Sequence, residues 1–274
     1  MGESCHMETP SFSGGEPDQW VCEPPLPSGL TLGQDGSISG IPDHVGSTNH
    51  TITGSNNGGS AYASLNITTI HASPDSIDYG GESFTFSIGQ PVSLSPSVPG
   101  GRITAWSVNP DLLSGLSISQ SGEISGIPSA LQPTTEYTIT AENSGGSVST
   151  SILIEVIDLP IWDLEYSQQS FDLSIGDIIP TNSPIWGGGS PTSWHVSPPL
   201  PNGFQMDQWT GEISGTATDL QEWSTHTIWA NNTGGGDFTE VSFRVIDQPP
   251  NQITWEIQEI ALPSNESAVI NPYY

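Results

Sequence analysis

The sequence contains no lysine and only two arginines, Arg102 and Arg244, against 30 acidic residues, for a formal charge of −28. Such a surface repels nucleic acid and anionic lipid, which removes both as partners. With almost no basic side chains there is little for a trypsin-like protease to cut. Cysteine is nearly absent as well: Cys5 and Cys22 are the whole complement. Neither belongs to a second Cys/His pair with zinc spacing, so a zinc site is excluded. No run of 18 apolar residues occurs, which excludes a spanning helix, and Met1 opens no recognisable signal peptide. For a chain of otherwise extracellular character, the last point reads as a mature form or an excerpt of a longer chain. Hydrophobic residues, at 33 %, fall below the usual share. Nine tryptophans and regular apolar alternation nevertheless exclude a disordered chain.

What the sequence does have is glycine, proline and a motif that occurs three times. Gly29-Leu30-Thr31-Leu32 leads to Gly36-Ser37-Ile38-Ser39-Gly40. Gly115-Leu116-Ser117-Ile118 leads to Gly122-Glu123-Ile124-Ser125-Gly126, and Gly203-Phe204-Gln205-Met206 leads to Gly211-Glu212-Ile213-Ser214-Gly215. The closing glycines Gly40, Gly126 and Gly215 stand 86 and 89 residues apart. That period is the size of one small β-sandwich and far longer than a solenoid repeat. Within the second repeat, Ser83–Ile88, Ile103–Val108, Glu136–Ala141 and Ser151–Ile157 alternate as strands do, and Asn143-Ser144-Gly145-Gly146 is a hairpin turn. No helical periodicity appears. The expectation is an all-β chain of tandem two-sheet antiparallel sandwiches. They divide as 1–73, lacking its first strand; 74–158 and 159–247, both complete; and 248–274, an orphan opening strand.

The ends are therefore out of register with the repeat. Pro10 to Trp20 matches Pro96 to Trp106, so the counterpart of Pro74–Phe86 is missing from the first repeat, while Ile253-Thr254-Trp255-Glu256-Ile257 resembles an opening strand with nothing to open. Three arrangements resolve this. The tail of one copy completes the head of the next by strand addition, through Ile253, Trp255, Ile257 and Ile260, and builds an open homopolymer. The residues are a window cut from a longer array. Or residues 1–10 supply a substitute strand and the tail is loose.

The motif, its Asn-rich Gly-Gly hairpin and the lead-ins Pro24-Pro25-Leu26-Pro27-Ser28-Gly29 and Pro198-Pro199-Leu200-Pro201-Asn202-Gly203 resemble the Ig-like (cadherin-like) domains of microbial surface proteins. That resemblance implies tandem Ig-like sandwiches serving as spacers, adhesion modules or polymer units at a cell surface or outside the cell. It implies no enzyme and no required cofactor.

Candidate sites follow from residue types. Cys5 and Cys22 enclose 16 residues, a loop whose closure by a disulfide removes about 3 kcal/mol of chain entropy. Asp158-Leu159-Pro160 and Asp247-Gln248-Pro249 occupy one junction in consecutive repeats. Their carboxylates are the calcium candidates, although Asp before Pro is also ordinary turn chemistry. Asn49, Asn66, Asn231 and Asn265 open N-x-Ser/Thr triplets, which are acceptor sites in a source that glycosylates asparagine. Trp20, Trp106 and Trp194 recur at one position and read as core. Trp162, Trp186, Trp209, Trp223 and Trp229 are extra to the third repeat and could stack on a glycan or a cell-surface partner. The six histidines do not recur with a carboxylate or serine, so no catalytic set is assembled.

Overall fold

The computed structural model describes residues 5–252. The chain divides into two compact units between Ile157 and Asp158.

The first unit begins with β1 (Cys5–Met7), β2 (Gln19–Glu23), β3 (Leu30–Leu32), β4 (Ile38–Gly40), β5 (Gly46–Asn56) and β6 (Gly59–Thr69). They form two three-stranded sheets, β1-β4-β3 and β2-β5-β6. The unit continues with β7 (Ser83–Ser87), β8 (Val92–Leu94), β9 (Ala105–Asn109), β10 (Leu116–Ile118), β11 (Ile124–Gly126), β12 (Gln132–Asn143) and β13 (Gly146–Ile157). Here the sheets are β10-β11-β8 and β7-β13-β12-β9. Ile124 from one sheet and Ile139, Ile152 and Ile154 from the other close a core that excludes water.

The second unit holds β14 (Ile161–Tyr166), β15 (Ser170–Ser174), β16 (Ile178–Asn182), β17 (Pro184–Gly188), β18 (Ser193–Ser197), β19 (Phe204–Met206), β20 (Ile213–Thr216), β21 (Gln221–Asn232) and β22 (Gly235–Ile246). Its sheets are β16-β20-β19 and β15-β22-β21-β18, with the pair β14-β17 beside them. Ile213, Ile228, Val241 and Phe243 are the centre of its core.

Neighbouring strands are antiparallel with one exception per complete sandwich. β7 runs parallel to β13, from Ser83↔Leu153 to Ser87↔Ile157, and β15 runs parallel to β22, from Ser170↔Ser242 to Ser174↔Ile246. The sequence reading made these two-sheet antiparallel sandwiches, and the parallel pair is the one departure within each complete sandwich. The difference arises because the opening segment crosses from one sheet to the other before it pairs, so it meets the last strand from the opposite end. Residues 74–80 make only the bridges Pro74↔Gly100 and Asp78↔Ser97 on the way.

The repeated motif is the rivet between sheets. Trp20, Trp106 and Trp194 lie against Gly36, Gly122 and Gly211, where a methyl group would come within 3.0 Å of the indole ring. Those glycines also hold φ of +81°, +81° and +72°, a region that L side chains rarely adopt. Opposite, Tyr79 donates its hydroxyl to the Gly122 carbonyl at 2.6 Å, and Tyr166 does the same to Gly211 at 2.5 Å. Both phenols are buried. Burial pushes the Tyr79 hydroxyl up to about 12 and raises that of Tyr166 further, because a phenolate cannot be solvated there.

Candidate interaction site

The first sandwich differs from the others at one edge. In the second sandwich β13 lies between β12 and β7, and in the third β22 lies between β21 and β15. Among the described residues, β6 is paired with β5 alone. Its inward side chains show the consequence. Leu65 and Ile67 are half-exposed, whereas their counterparts Ile152 and Ile154, and Val241 and Phe243, are buried at 2 % or below. Ile38 and Ile52 are the only buried hydrophobic side chains of the first sandwich among the described residues. Between the sheets lies an open groove of about 500 Å³, lined by Trp20, Gly36, Ile38, Ile52, Tyr62 and Leu65. It opens at Gly36, the place where Tyr79 and Tyr166 close the other two sandwiches. β1 does not fill it: Cys5–Met7 pairs with Ile38–Gly40 as β8 pairs with β11, so this strand is the counterpart of β8 and no substitute for β7.

Cys22 is a free thiol, which corrects the expected disulfide. The reason is positional. Cys22 points inward from β2 at the place of Val108 in β9 and Val196 in β18, and its sulfur is engaged by the residue after β2 and by β5 of the same sheet. The Sγ donates to the Pro24 carbonyl at 3.2 Å and lies 3.7 Å from Nδ1 of His50. Burial raises the thiol above its usual range. Cys22 thus serves as a small hydrophobe.

Register also corrects the reading of the histidines. His50 and His226 are equivalents, each two residues before the core isoleucine, Ile52 or Ile228, that faces Cys22 or Val196. Both are buried, and Nδ1 of each meets a prolyl carbonyl, Pro24 at 2.8 Å and Pro198 at 2.9 Å. A carbonyl only accepts, so Nδ1 carries the proton. Nε2 of His226 lies 2.8 Å from Ser224 Oγ. With Nδ1 committed to backbone and no carboxylate behind it, this pair fixes a strand and lacks the orienting acid of a nucleophile triad. The second sandwich has Tyr137 at this place, bonded by Gln132.

The other expected residues are dispersed. Asp158 Oδ2 accepts the Thr233 hydroxyl at 2.7 Å, at the β21–β22 hairpin, whereas Asp247 follows the far end of β22. Twelve residues of strand separate the two ends, roughly 35 Å at the usual rise, so no single ion could reach both carboxylates. No group of three or more His, Cys, Asp or Glu side chains converges among the described residues. Asn49 and Asn66 face each other on β5 and β6 and share a 2.7 Å hydrogen bond, while Asn231 is exposed at the end of β21. Trp209, Trp223, Trp162 and Trp186 are exposed on the third sandwich, Trp209 at 76 %. Trp229 lies in a row across three strands with His195 and Phe238. Ile253, Trp255, Ile257, Ile260 and Asn265 lie outside the described residues. No helix among the described residues is long and apolar enough to cross a membrane.

Comparison with known proteins agrees with the sandwich topology. Residues 66–157 match the family model described as "Putative Ig domain". That stretch is about a third of the chain and runs from the end of β6 through β13, the second sandwich. The chain's Ig-like architecture is similar to that of the N-terminal eight Ig domains of the Down Syndrome Cell Adhesion Molecule, at 16 % identity and a TM-score of 0.37, over 89 % of this chain and 35 % of that one. It is similar also to the titin I-band fragment I67–I69, at 15 % and 0.38, over 90 % and 94 %, and to the insect immune protein hemolin, at 13 % and 0.37, over 89 % and 72 %. The chain thus spans about a third of the length of the eight-domain adhesion fragment. No curated protein matches it. Likenesses at this level carry no argument about this chain.

Proposed function

We propose that this chain is a non-enzymatic structural subunit of an extracellular filament or surface stalk, assembled head to tail by β-strand complementation. The observation that carries the reading is the open edge of the first domain: among the described residues β6 is paired on one side only, beside an apolar groove, where the second and third domains each hold a parallel strand. A groove of this kind leaves backbone donors and apolar surface in water, and an added strand relieves both. The acidic, lysine-free surface suits a polymer outside the cell, since charge suppresses contacts other than the designated one. Deleting Gln248–Tyr274 is expected to leave folded subunits that no longer polymerise. Negative-stain microscopy of the full and truncated chains tests this. Filaments from the truncated protein would remove the reading.

The exposed tryptophans of the third domain favour a second reading, a surface adhesin that stacks glycan rings on Trp209, Trp162 or Trp223. A glycan array probed with the full chain decides it, and an empty array counts against it. Under either reading Asn49, Asn66, Asn231 and Asn265 are the glycan-acceptor positions, and Asp158 and Asp247 are separate single-carboxylate contacts for calcium at the domain ends.

A further inference from the structure

The second and third domains share a device that receives the chain entering them. Asn143 Nδ2 donates to the Ala72 carbonyl at 2.7 Å and to Arg102 at 3.1 Å, while its Oδ1 accepts the Gly145 amide at 2.8 Å. Ser144 Oγ accepts the His71 amide at 2.9 Å. In the third domain Asn232 Nδ2 donates to Leu159 at 2.8 Å and to Ser190 at 3.4 Å, Oδ1 accepts from Gly234 at 2.9 Å, and Thr233 Oγ1 accepts the Asp158 amide at 2.9 Å. The entering backbone lies so close that a methyl group on Gly145 or Gly234 would come within 3.0 Å of the carbonyl oxygen of His71 or Asp158.

The first domain has the same device, built and open. Asn56 Oδ1 accepts the Gly58 amide at 2.8 Å and Nδ2 donates to Glu16 at 3.0 Å, as Asn143 does with Gly145 and Arg102. The carbonyl that would take the second Nδ2 hydrogen is not found among the described residues. At Gly58 a methyl group would meet nothing but Asn56 Oδ1, at 3.2 Å. Two features thus lie in one domain, this Asn56 arrangement and the groove at Gly36.

The sequence holds a segment of the matching pattern. Asp247, Gln248, Ile253, Trp255, Ile260 and Leu262 each stand 89 residues after Asp158, Leu159, Leu164, Tyr166, Phe171 and Leu173. The spacing between the last two repeats of the motif is the same 89. We propose that residues 247–262 of a second copy dock on the first domain in this repeat register. The Gln248 carbonyl takes the free hydrogen of Asn56. Ile253 and Trp255 enter the groove, and the indole N–H donates to the Gly36 carbonyl as the Tyr79 and Tyr166 hydroxyls do to Gly122 and Gly211. Ile260 to Leu262 runs parallel to β6, beside Ile67 and Thr69, as Phe84 to Phe86 runs beside Ile154 and Val156. Ile257, at the place of Gln168, falls in the turn between these two contacts and outside the groove. This inference rests on the complementation reading and adds its register, its polarity and its clamp.

The test uses the full chain and a labelled peptide of residues 247–263, read by fluorescence anisotropy alongside sedimentation velocity of the chain alone. The peptide is expected to bind and to depress self-association. Trp255→Glu in the peptide weakens binding at least tenfold, and Ile257→Glu changes it less than twofold. Gly58→Ala in the full chain keeps the wild-type circular dichroism, because in the free domain its methyl group meets only the end of the Asn56 side chain, at 3.2 Å, which can yield slightly, yet loses at least tenfold in peptide affinity. A peptide that does not bind, that binds Gly58→Ala equally well, or that is as sensitive at Ile257 as at Trp255 overturns the proposal. Polymers that vanish on deletion of Gln248–Tyr274 but persist in Gly58→Ala would keep complementation and sink this register. A chain that stays monomeric at every concentration while the peptide binds would overturn the second copy as occupant.

Discussion

Replacing Tyr79 by phenylalanine removes one oxygen atom, and the consequence can be worked out at each pH. At neutral pH the loss is the 2.6 Å hydrogen bond to Gly122 in a buried site, which leaves that carbonyl without its partner. Such a loss costs about 1–3 kcal/mol. The pH dependence has its own sign. Burial raises the Tyr79 hydroxyl from 10.0 to about 12, so the folded state holds the phenol proton more tightly than the unfolded chain. The stabilisation is fully present below pH 10 and is lost as pH rises through about 12. Two units correspond to about 3 kcal/mol at the limit. The wild type therefore loses stability between pH 10 and 12 in a way that Tyr79→Phe does not. The gap between them, 1–3 kcal/mol at pH 7, closes across that window. Urea unfolding followed by circular dichroism at several pH values measures the gap, and difference absorbance of phenolate against Tyr79→Phe follows the ionisation itself. A Tyr79 that ionises near pH 10 with the sheets intact would refute the claim that this hydroxyl is a buried rivet, as would a gap that stays constant to pH 12.

Two further outcomes follow from the same geometry. Gly211→Ala places a methyl group against the Trp194 indole at a φ of +72°, and overpacking together with backbone strain should destabilise the third domain by about 2–4 kcal/mol in a thermal melt. Cys22→Val installs the residue found at the equivalent positions 108 and 196, so it should shift stability by less than about 1.5 kcal/mol, and the wild-type thiol should react with a disulfide reagent much faster in urea than in buffer.

Much of the fold could be read from the chain because the motif carries its own constraints. Gly36, Gly122 and Gly211 are pinned by a ring on one side and backbone geometry on the other, so they stay visible at a fixed period while the strands around them drift. The alternation in Ser151–Ile157 and Thr225–Ala230 likewise reports a face buried against a second sheet. What escaped was everything that depends on which strand lies beside which. The parallel pairing of β7 leaves no mark in its own sequence, since Ser83–Ser87 alternates the same way in either direction. Cys22 looked like half of a disulfide because spacing along the chain says nothing of what a side chain packs against, and only alignment with Val108 and Val196 shows it to be a core side chain. His50 and His226 escaped for a related reason: the second domain has Tyr137 between them, so the recurrence skips a repeat. The hydrogen bonds of Asn56 were not legible, because their part shows only where Asn143 and Asn232 are seen holding a carbonyl.

The parallel pairs also decide how each complete domain meets a mechanical load. β7 is the first strand of its sheet in the chain and β13 the last, and they run side by side in the same direction. Tension drawn through the domain pulls the start of β7 one way and the end of β13 the other. The two strands are then sheared along their length, and the hydrogen bonds between them share the force and must yield together. An antiparallel pair of first and last strands would be peeled from one end, one bond at a time. β15 and β22 repeat the arrangement, so the resistance of a string of such domains is set by a few short ladders at the points where chain enters and leaves, with the wide sheets behind them held in reserve.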